Sequence, residues 1–319
     1  MATHPPDRYS PTDPLIVDLL ASLDALFGLH PGFRAAHAKG IMCSGTFTPA
    51  SAAAHLTRAP HITRPSTPVI MRLSDFAGVP NIPDNHPEAA SPRGIAVRFQ
   101  LADHVHTDLV GHSADGFPVS DGEGFLGFAR AIAASNGVTT HPTPIEAFVG
   151  SHPAALKFVQ LPKPIPTSFA RESFFCVSAF HFTNSNGETQ FGRYRILPEA
   201  GNEYLTAEQA AAKSGDFLMD ELTKRIAAGP VKFKIVIQLA EPGDVTSVAT
   251  IQWPASRPTT DFGTITLTKK LNHDEPELKK MIFDPIPRVD GIEPAADPLF
   301  DVRAAIYLLS GRRRRAAGK

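Results

Sequence analysis

Hydrophobic positions along this chain change period several times. Leu15, Ile16, Leu19, Leu20, Leu23, Leu26 and Phe27 recur at helical spacing. Asp13-Pro14 offers a cap with proline at the first helical position, and Gly28 a stop. The spacing predicts one helix that packs by a single face on something larger. Later segments repeat every second residue instead. Thr46-Phe47-Thr48 suits a strand, and so does Val69–Ser74, where Ile70, Arg72 and Ser74 share one side. An arginine and a serine on one strand face mean that this face meets something polar. Ser91–Phe99 reads as a further strand. Two long runs, Ser173–Thr183 and Thr189–Leu197, flank Asn184-Ser185-Asn186-Gly187-Glu188, whose Asn-Gly marks a hairpin. Val231, Phe233, Ile235, Ile237 and Leu239 alternate with Lys232, Lys234 and Gln238, a strand with one buried face. Thr250–Pro254 and Gly263–Thr268 add later strand signals. Asp121 to about Phe158 and Ala207–Ile226 read as helical. The expected fold is α+β, an antiparallel β-barrel core of about eight strands with surrounding helices. No internal repeat or linker divides it. The expected organisation is one unit over 1–319, with an N-terminal helix and arm at 1–29, a barrel and binding core at 30–314, and a tail at 315–319.

Composition narrows the function. The chain is 42% hydrophobic and 20% charged with a net charge of −1, which gives no electrostatic reason to expect nucleic acid or an acidic membrane as partner. No apolar run reaches transmembrane length and the opening MATHPPDRYSPTD lacks a leader, so a cytoplasmic address is expected, or a periplasmic one if a leader was removed. The 30 prolines predict many loops. Cys43 and Cys176 form neither a disulfide framework nor a metal cluster, and buried free thiols are expected. His104 and His106 in HVH read as exposed strand residues.

The chemistry gathers near the end of the chain, in Phe283-Asp284-Pro285, Gly291-Ile292-Glu293-Pro294 and Arg303-Ala304-Ala305-Ile306-Tyr307. Residues at i and i+4 share a helix face, so the Arg303 guanidinium lies against the Tyr307 oxygen. A fixed cation beside a phenol favours its ionised form, and a phenolate is a hard anionic ligand for iron. The run FDPIPRVDGIEPAADPLFDVRAAIY resembles the segment leading to the proximal tyrosine of haem catalases. Upstream, His37-Ala38-Lys39-Gly40 resembles their distal-histidine segment, Arg72-Leu73-Ser74 their propionate-arginine and serine strand, and Pro92–Phe99 and Asp108-Leu109-Val110-Gly111 their next two strands. The hairpin Phe180–Thr189 is also similar to theirs. The resemblance runs from about 30 to 314 in catalase order. One position departs: where catalases place an asparagine after Gly111, this chain has His112. Only twelve residues follow Tyr307, so the helical C-terminal domain of ordinary catalases is expected to be lacking. The chain resembles the compact catalase-related peroxidase group.

That resemblance implies haem b in the barrel mouth, ligated by Tyr307, with His37 above it as general base and then acid. Ser74 would fix the histidine tautomer, Arg303 would restrain the tyrosinate, and Phe125 would stack on the porphyrin. Arg34 and Arg72 match propionate-binding arginines. Arg312 and Arg314 lie near where another is expected, the alternative being that the RRRR tail is a solvated basic terminus. His112 falls where peroxide binds, its role open. The implied activity is reduction of hydrogen peroxide or organic peroxides by a small organic reductant, with weak catalase action, in a monomer or small homo-oligomer. Two other readings stand beside it. One is a lyase or isomerase of fatty-acid hydroperoxides like the allene oxide synthases, whose histidine follows a threonine where this chain has Ala36. The other is a non-catalytic haem-binding protein.

Overall fold

The structure, a computed structural model, describes residues 8–272 and 275–317; the first seven residues of the expected arm and the last two of the expected tail lie outside them. Among the described residues ten strands form the sheet: β1 (Gly40–Pro49), β2 (Thr67–Ser74), β3 (Gly94–Ala102), β4 (Val105–His112), β5 (Phe174–Phe175), β6 (Phe180–Thr183), β7 (Thr189–Pro198), β8 (Val231–Leu239), β9 (Thr259–Lys270) and β10 (Ile292–Pro294). Eight of them close antiparallel into a barrel, in the order β7-β5-β4-β3-β2-β1-β9-β8 and back to β7. β6 pairs with β7, and β10 with β6, as an extension outside the ring. Around the barrel lie α1 (Pro14–Phe27), α2 (Ala53–Leu56), α3 (Gly122–Ser135), α4 (Pro144–Ser151), α5 (Pro153–Gln160), α6 (Ala207–Ala211), α7 (Phe217–Ala228), α8 (Pro276–Lys280) and α9 (Leu299–Ala317). Among the described residues no helix is long and apolar enough to cross a membrane.

Side chains alternate along each strand, so every strand gives one set to the interior and one to the outer wall. The interior set includes Cys43, Phe47, Met71, Leu73, Val97, Phe99, Leu109, Phe174, Tyr194, Ile235 and Leu267, and it forms one continuous apolar cluster. Rings of Phe47, Phe99, Phe262, Tyr194 and His61 meet at centroid distances of 4.7 to 6.0 Å. The barrel is therefore packed solid. Among the described residues the cavity lies not inside the barrel but against its outer wall, on the face carrying Arg72, Ser74 and His112, which differs from the expected barrel mouth.

Helices roof that face. α1 buries Ile16, Leu19, Leu20 and Leu23 against Val302, Ala305 and Ile306 of α9, with Phe125 and Leu126 of α3 alongside. Burying four such side chains stabilises the contact by roughly 6–12 kcal/mol as an upper figure. That is large beside the missing side-chain cap at Asp13, whose carboxylate takes the Ser10 amide instead.

Three expected elements differ. The run Ser173–Thr183 is two strands, because the chain leaves the β7 ladder between Phe175 and Phe180. The helical run Ala207–Ile226 breaks into α6 and α7 around Ser214-Gly215-Asp216, turn-forming residues that interrupt the helical spacing. Thr250–Pro254 is irregular, and its Trp253 is buried against Ala179 and Ala295 with Nε1 donating to the Val245 carbonyl.

Candidate active site

A cavity of about 1090 Å³ separates the outer wall of β2–β4 from α9, α1 and α3. Register fixes what the wall presents. Ser74, Gly94 and His112 are direct partners across β2, β3 and β4, and so form one row on one face. Arg72, Ala96 and Val110 form the next row on that face. Glycine leaves a gap in the first row, and the His37 imidazole fills it. A Cβ on residue 94 would lie 2.5 Å from His37 Nδ1 and 2.7 Å from Ser74 Oγ.

His37 comes from the segment before β1. Its backbone sits in the left-handed region at φ 55°, held by its N–H to the Phe76 carbonyl at 2.7 Å and by Ala38 N–H to Ala77 O at 3.0 Å. Such a conformation costs about 1–3 kcal/mol for a non-glycine residue and persists only where its surroundings enforce it. The Phe76 ring meets the imidazole edge-on at 5.6 Å, and Ser74 Oγ lies 3.2 Å from Nδ1. Burial, then the Arg72 charge and His112, pushes the imidazole down to about 3, so it is neutral near neutral pH. A base at Nε2 requires the proton on Nδ1, and Ser74 Oγ is placed to accept it.

Tyr307 faces the cavity from α9. The Arg303 Nε donates to its phenolic oxygen at 3.3 Å, and Arg303 Nη2 donates to the Val110 carbonyl at 3.3 Å. Burial alone would lower the Arg303 pKa, but Tyr307 raises it above its ordinary value. The guanidinium thus remains charged and ties helix to barrel wall.

Three more guanidiniums gather on the cavity lining: Arg34, Arg72 and Arg314. Arg34 and Arg314 both donate to the Met281 carbonyl, at 3.2 and 2.7 Å, and Arg72 donates to Ala38 O at 3.1 Å. Gly40 lets Arg72 lie flat, since a Cβ there would be 2.6 Å from Nη2. Among the described residues none of the three has a carboxylate in ion-pair contact, and the buried Arg72 Nε has no partner. Burial and mutual repulsion lower the Arg34 pKa and bring Arg72 down to about 9; burial and Arg315 bring Arg314 to about 10. Three crowded cations, none in ion-pair contact with a carboxylate among the described residues, call for an anionic ligand.

Arg312 is not among them. On an α-helix Ser310, Gly311 and Arg314 follow Tyr307 on one face, whereas Arg312 is turned away and exposed. The RRRR run is not a free tail either: Arg313 pairs with Asp24, and Arg315 donates to the Lys280 carbonyl. Phe125 lines the cavity, its ring stacked on Phe117 at 5.9 Å. His112 lines it too, stacked over Phe117 at 6.1 Å, with both ring nitrogens buried. Burial, then Arg303, pushes it down to about 3. Sequence reading missed the notch at Gly94 and the Met281 carbonyl shared by two arginines; only the strand register and the tertiary fold expose them. Arg98 and Asp108 pair across β3 and β4 and grip the Ile282 carbonyl and the Asp284 amide, which seats the FDP segment beside that carbonyl. Among the described residues no His, Cys, Asp or Glu group forms a metal cluster, HVH included.

The family model for catalase matches residues 32–318. The chain belongs to the catalase family. A catalase-related peroxidase of Mycolicibacterium paratuberculosis is 36% identical over 89% of this chain and 89% of its own length. One from Synechococcus elongatus is 32% identical over 93% and 87%. Among solved structures, a fungal catalase superposes with a TM-score of 0.76 at 20% identity over 98% of this chain, and catalase A of Saccharomyces cerevisiae with 0.75 at 20% over 88%. The chain spans only 66% and 61% of those two proteins, so they speak to the fold. Catalases are haem proteins, and the residues present fit that group. The cavity is mostly apolar, one wall offers a phenolic oxygen and the other an imidazole, and three guanidiniums on its lining are in ion-pair contact with no carboxylate among the described residues.

Proposed function

We propose that the protein is a haem b peroxidase, reducing hydrogen peroxide or organic peroxides with a small organic donor and retaining weak catalase action. The observation that carries this reading is the convergence on one cavity of Tyr307 with Arg303 from α9 and His37 with Ser74 from the barrel side. Tyr307 would ligate the iron, and Arg34, Arg72 and Arg314 would hold the propionates. A non-covalent haem b is favoured because both thiols, Cys43 and Cys176, are buried in the barrel core and pushed up to about 12 by burial. When bound, the haem supplies the two-electron redox chemistry on peroxide.

The chain's own residues manage protons and water. Neutral His37 accepts a proton from bound peroxide at Nε2, while Nδ1–H stays on Ser74 Oγ, and then returns that proton to the departing oxygen. Arg303 holds the Tyr307 oxygen against the cavity by a charge-assisted hydrogen bond. Phe117, Phe125, Phe128 and Phe158 give the cavity an apolar flank that receives an organic molecule. The test compares steady-state oxidation of a phenolic donor with oxygen evolution on the same haem-loaded sample. Donor oxidation is expected to dominate; oxygen evolution exceeding it by orders of magnitude would reverse the reading.

A further inference from the structure

Besides its arginines the cavity lining carries Lys163, three residues past the end of α5. Its ammonium donates to the carbonyls of Phe158, Val159 and Leu161 at 2.8, 3.2 and 3.2 Å, and lies 4.7 Å from the centroid of the Phe158 ring. These are carbonyls of a helix end, so Lys163 caps α5. Carbonyls take up its protons but not its charge. Among the described residues no carboxylate forms an ion pair with Lys163, and burial lowers its pKa with no acidic group opposing the shift.

The ring beside this ammonium belongs to a continuous set. Phe158 meets Phe117 at 6.5 Å, Phe117 stacks on Phe125 at 5.9 Å, and all three line the cavity. Phe117 also stacks on His112, whose imidazole feels the Lys163 charge. Ile132, Ile145 and Leu161 continue the flank. Such ring faces and edges suit another aromatic ring, and one charge beside them fixes the orientation and the sign of what that ring carries. Hydrogen peroxide needs neither feature.

We propose that Lys163 selects the organic reductant, and that this reductant is a phenol bearing a carboxylate, its ring on Phe117 and Phe158 and its carboxylate on the Lys163 ammonium; the proposal rests on the haem peroxidase reading. The carboxylate takes the place of the two longer carbonyl contacts, and the shorter one, to Phe158, keeps the cap. Two phenols each give one electron and one hydroxyl proton and leave as phenoxyl radicals. The peroxide takes up both electrons and both protons as its O–O bond breaks, giving two waters from hydrogen peroxide, or water and an alcohol from an organic hydroperoxide. Lys163 gives up no proton in this sequence. It binds the donor and acts on nothing else.

Three phenols with the same ring and different side-chain charge test this: para-hydroxyphenylpropionate, its methyl ester and tyramine. Calorimetry on the resting haem-loaded protein gives their Kd without turnover, and donor oxidation with peroxide gives kcat/KM. Both are measured for wild type, Lys163→Met, Lys163→Arg and Lys163→Glu. Wild type should favour the carboxylate over its ester by about ten- to a hundredfold, the range of a hydrogen bond to a charged group. That ratio should fall to about one in Lys163→Met, persist in Lys163→Arg, and turn toward tyramine in Lys163→Glu. Each ratio is taken within one variant, so a loosened end of α5 acts on both members alike. A ratio near one in the wild type, or one that Lys163→Met leaves intact, would overturn the proposal and leave Lys163 a helix cap. A haem-loaded wild type that oxidises none of the three would sink the peroxidase reading itself, and the Kd ratios would still judge Lys163.

Discussion

At residue 94 the absence of a side chain makes room for an imidazole. The His37 ring uses the space a Cβ would need, at 2.5 Å, and Ser74 closes the other side. Gly94→Ala therefore has to displace the imidazole without touching Tyr307 or the guanidiniums. We expect peroxide turnover to fall by about 10² or more, the size of a lost acid–base contribution, while haem content is kept. Unchanged turnover in a haem-loaded variant would show that His37 is not held by that notch. Chemistry-bearing side chains here were legible in sequence because each lies in a recognisable run: His37, Ser74, Arg72, Tyr307. Gly94 stood in the same runs, yet its purpose needed the register of three strands and a loop from outside the sheet.

At the scale of the element, α9 carries both Tyr307 and the cation that anchors the far end of the cavity. Helical period separates Arg314, buried and donating to the Lys279 and Met281 carbonyls, from exposed Arg312. Arg314→Leu should weaken haem retention by about ten- to a hundredfold, the equivalent of roughly 1.5–3 kcal/mol for a charge-assisted hydrogen bond. Arg312→Leu should leave it unchanged. Haem transfer to an apo-globin measures both, and equal effects would contradict the assignment. Helical period ranks the four arginines only once the helix is known to run on past Tyr307, and that extension, with its docking on Met281 and Asp24, is a tertiary fact. The long strands and α1 were legible from their periods. Ser173–Thr183 was not, since leaving a ladder for four residues changes neither composition nor alternation.

For the whole molecule, a filled barrel serves as a rigid wall, and the site is built on its outside. That placement is invisible to alternation alone, which tells two faces apart but not which one is enclosed. His61 reports on the interior: it is 1% exposed among Phe47, Phe99 and Phe262, and Nδ1 has no partner. Burial, then Arg64, pushes it down to about 3. Its unfolded value is about 6.5, so between the two the unfolded chain binds the extra proton. Its contribution to stability is complete above the upper value and is lost as pH falls toward the lower one. From pH 7 to pH 5 that loss is about 2 kcal/mol. Glu172, pushed up to about 7 by burial, acts in the opposite sense, so the comparison must be between proteins at each pH. Urea unfolding of wild type and His61→Phe should show a smaller pH dependence in the variant; equal dependence would mean His61 is charged in the core.

All these scales meet at the Tyr307 oxygen. The optical spectrum of the purified protein with haem, recorded beside that of Tyr307→Phe, is the most direct test. The account predicts high-spin ferric haem with tyrosinate character in the wild type, absent from the variant. A wild type that stays colourless, or two proteins with the same spectrum, would contradict it.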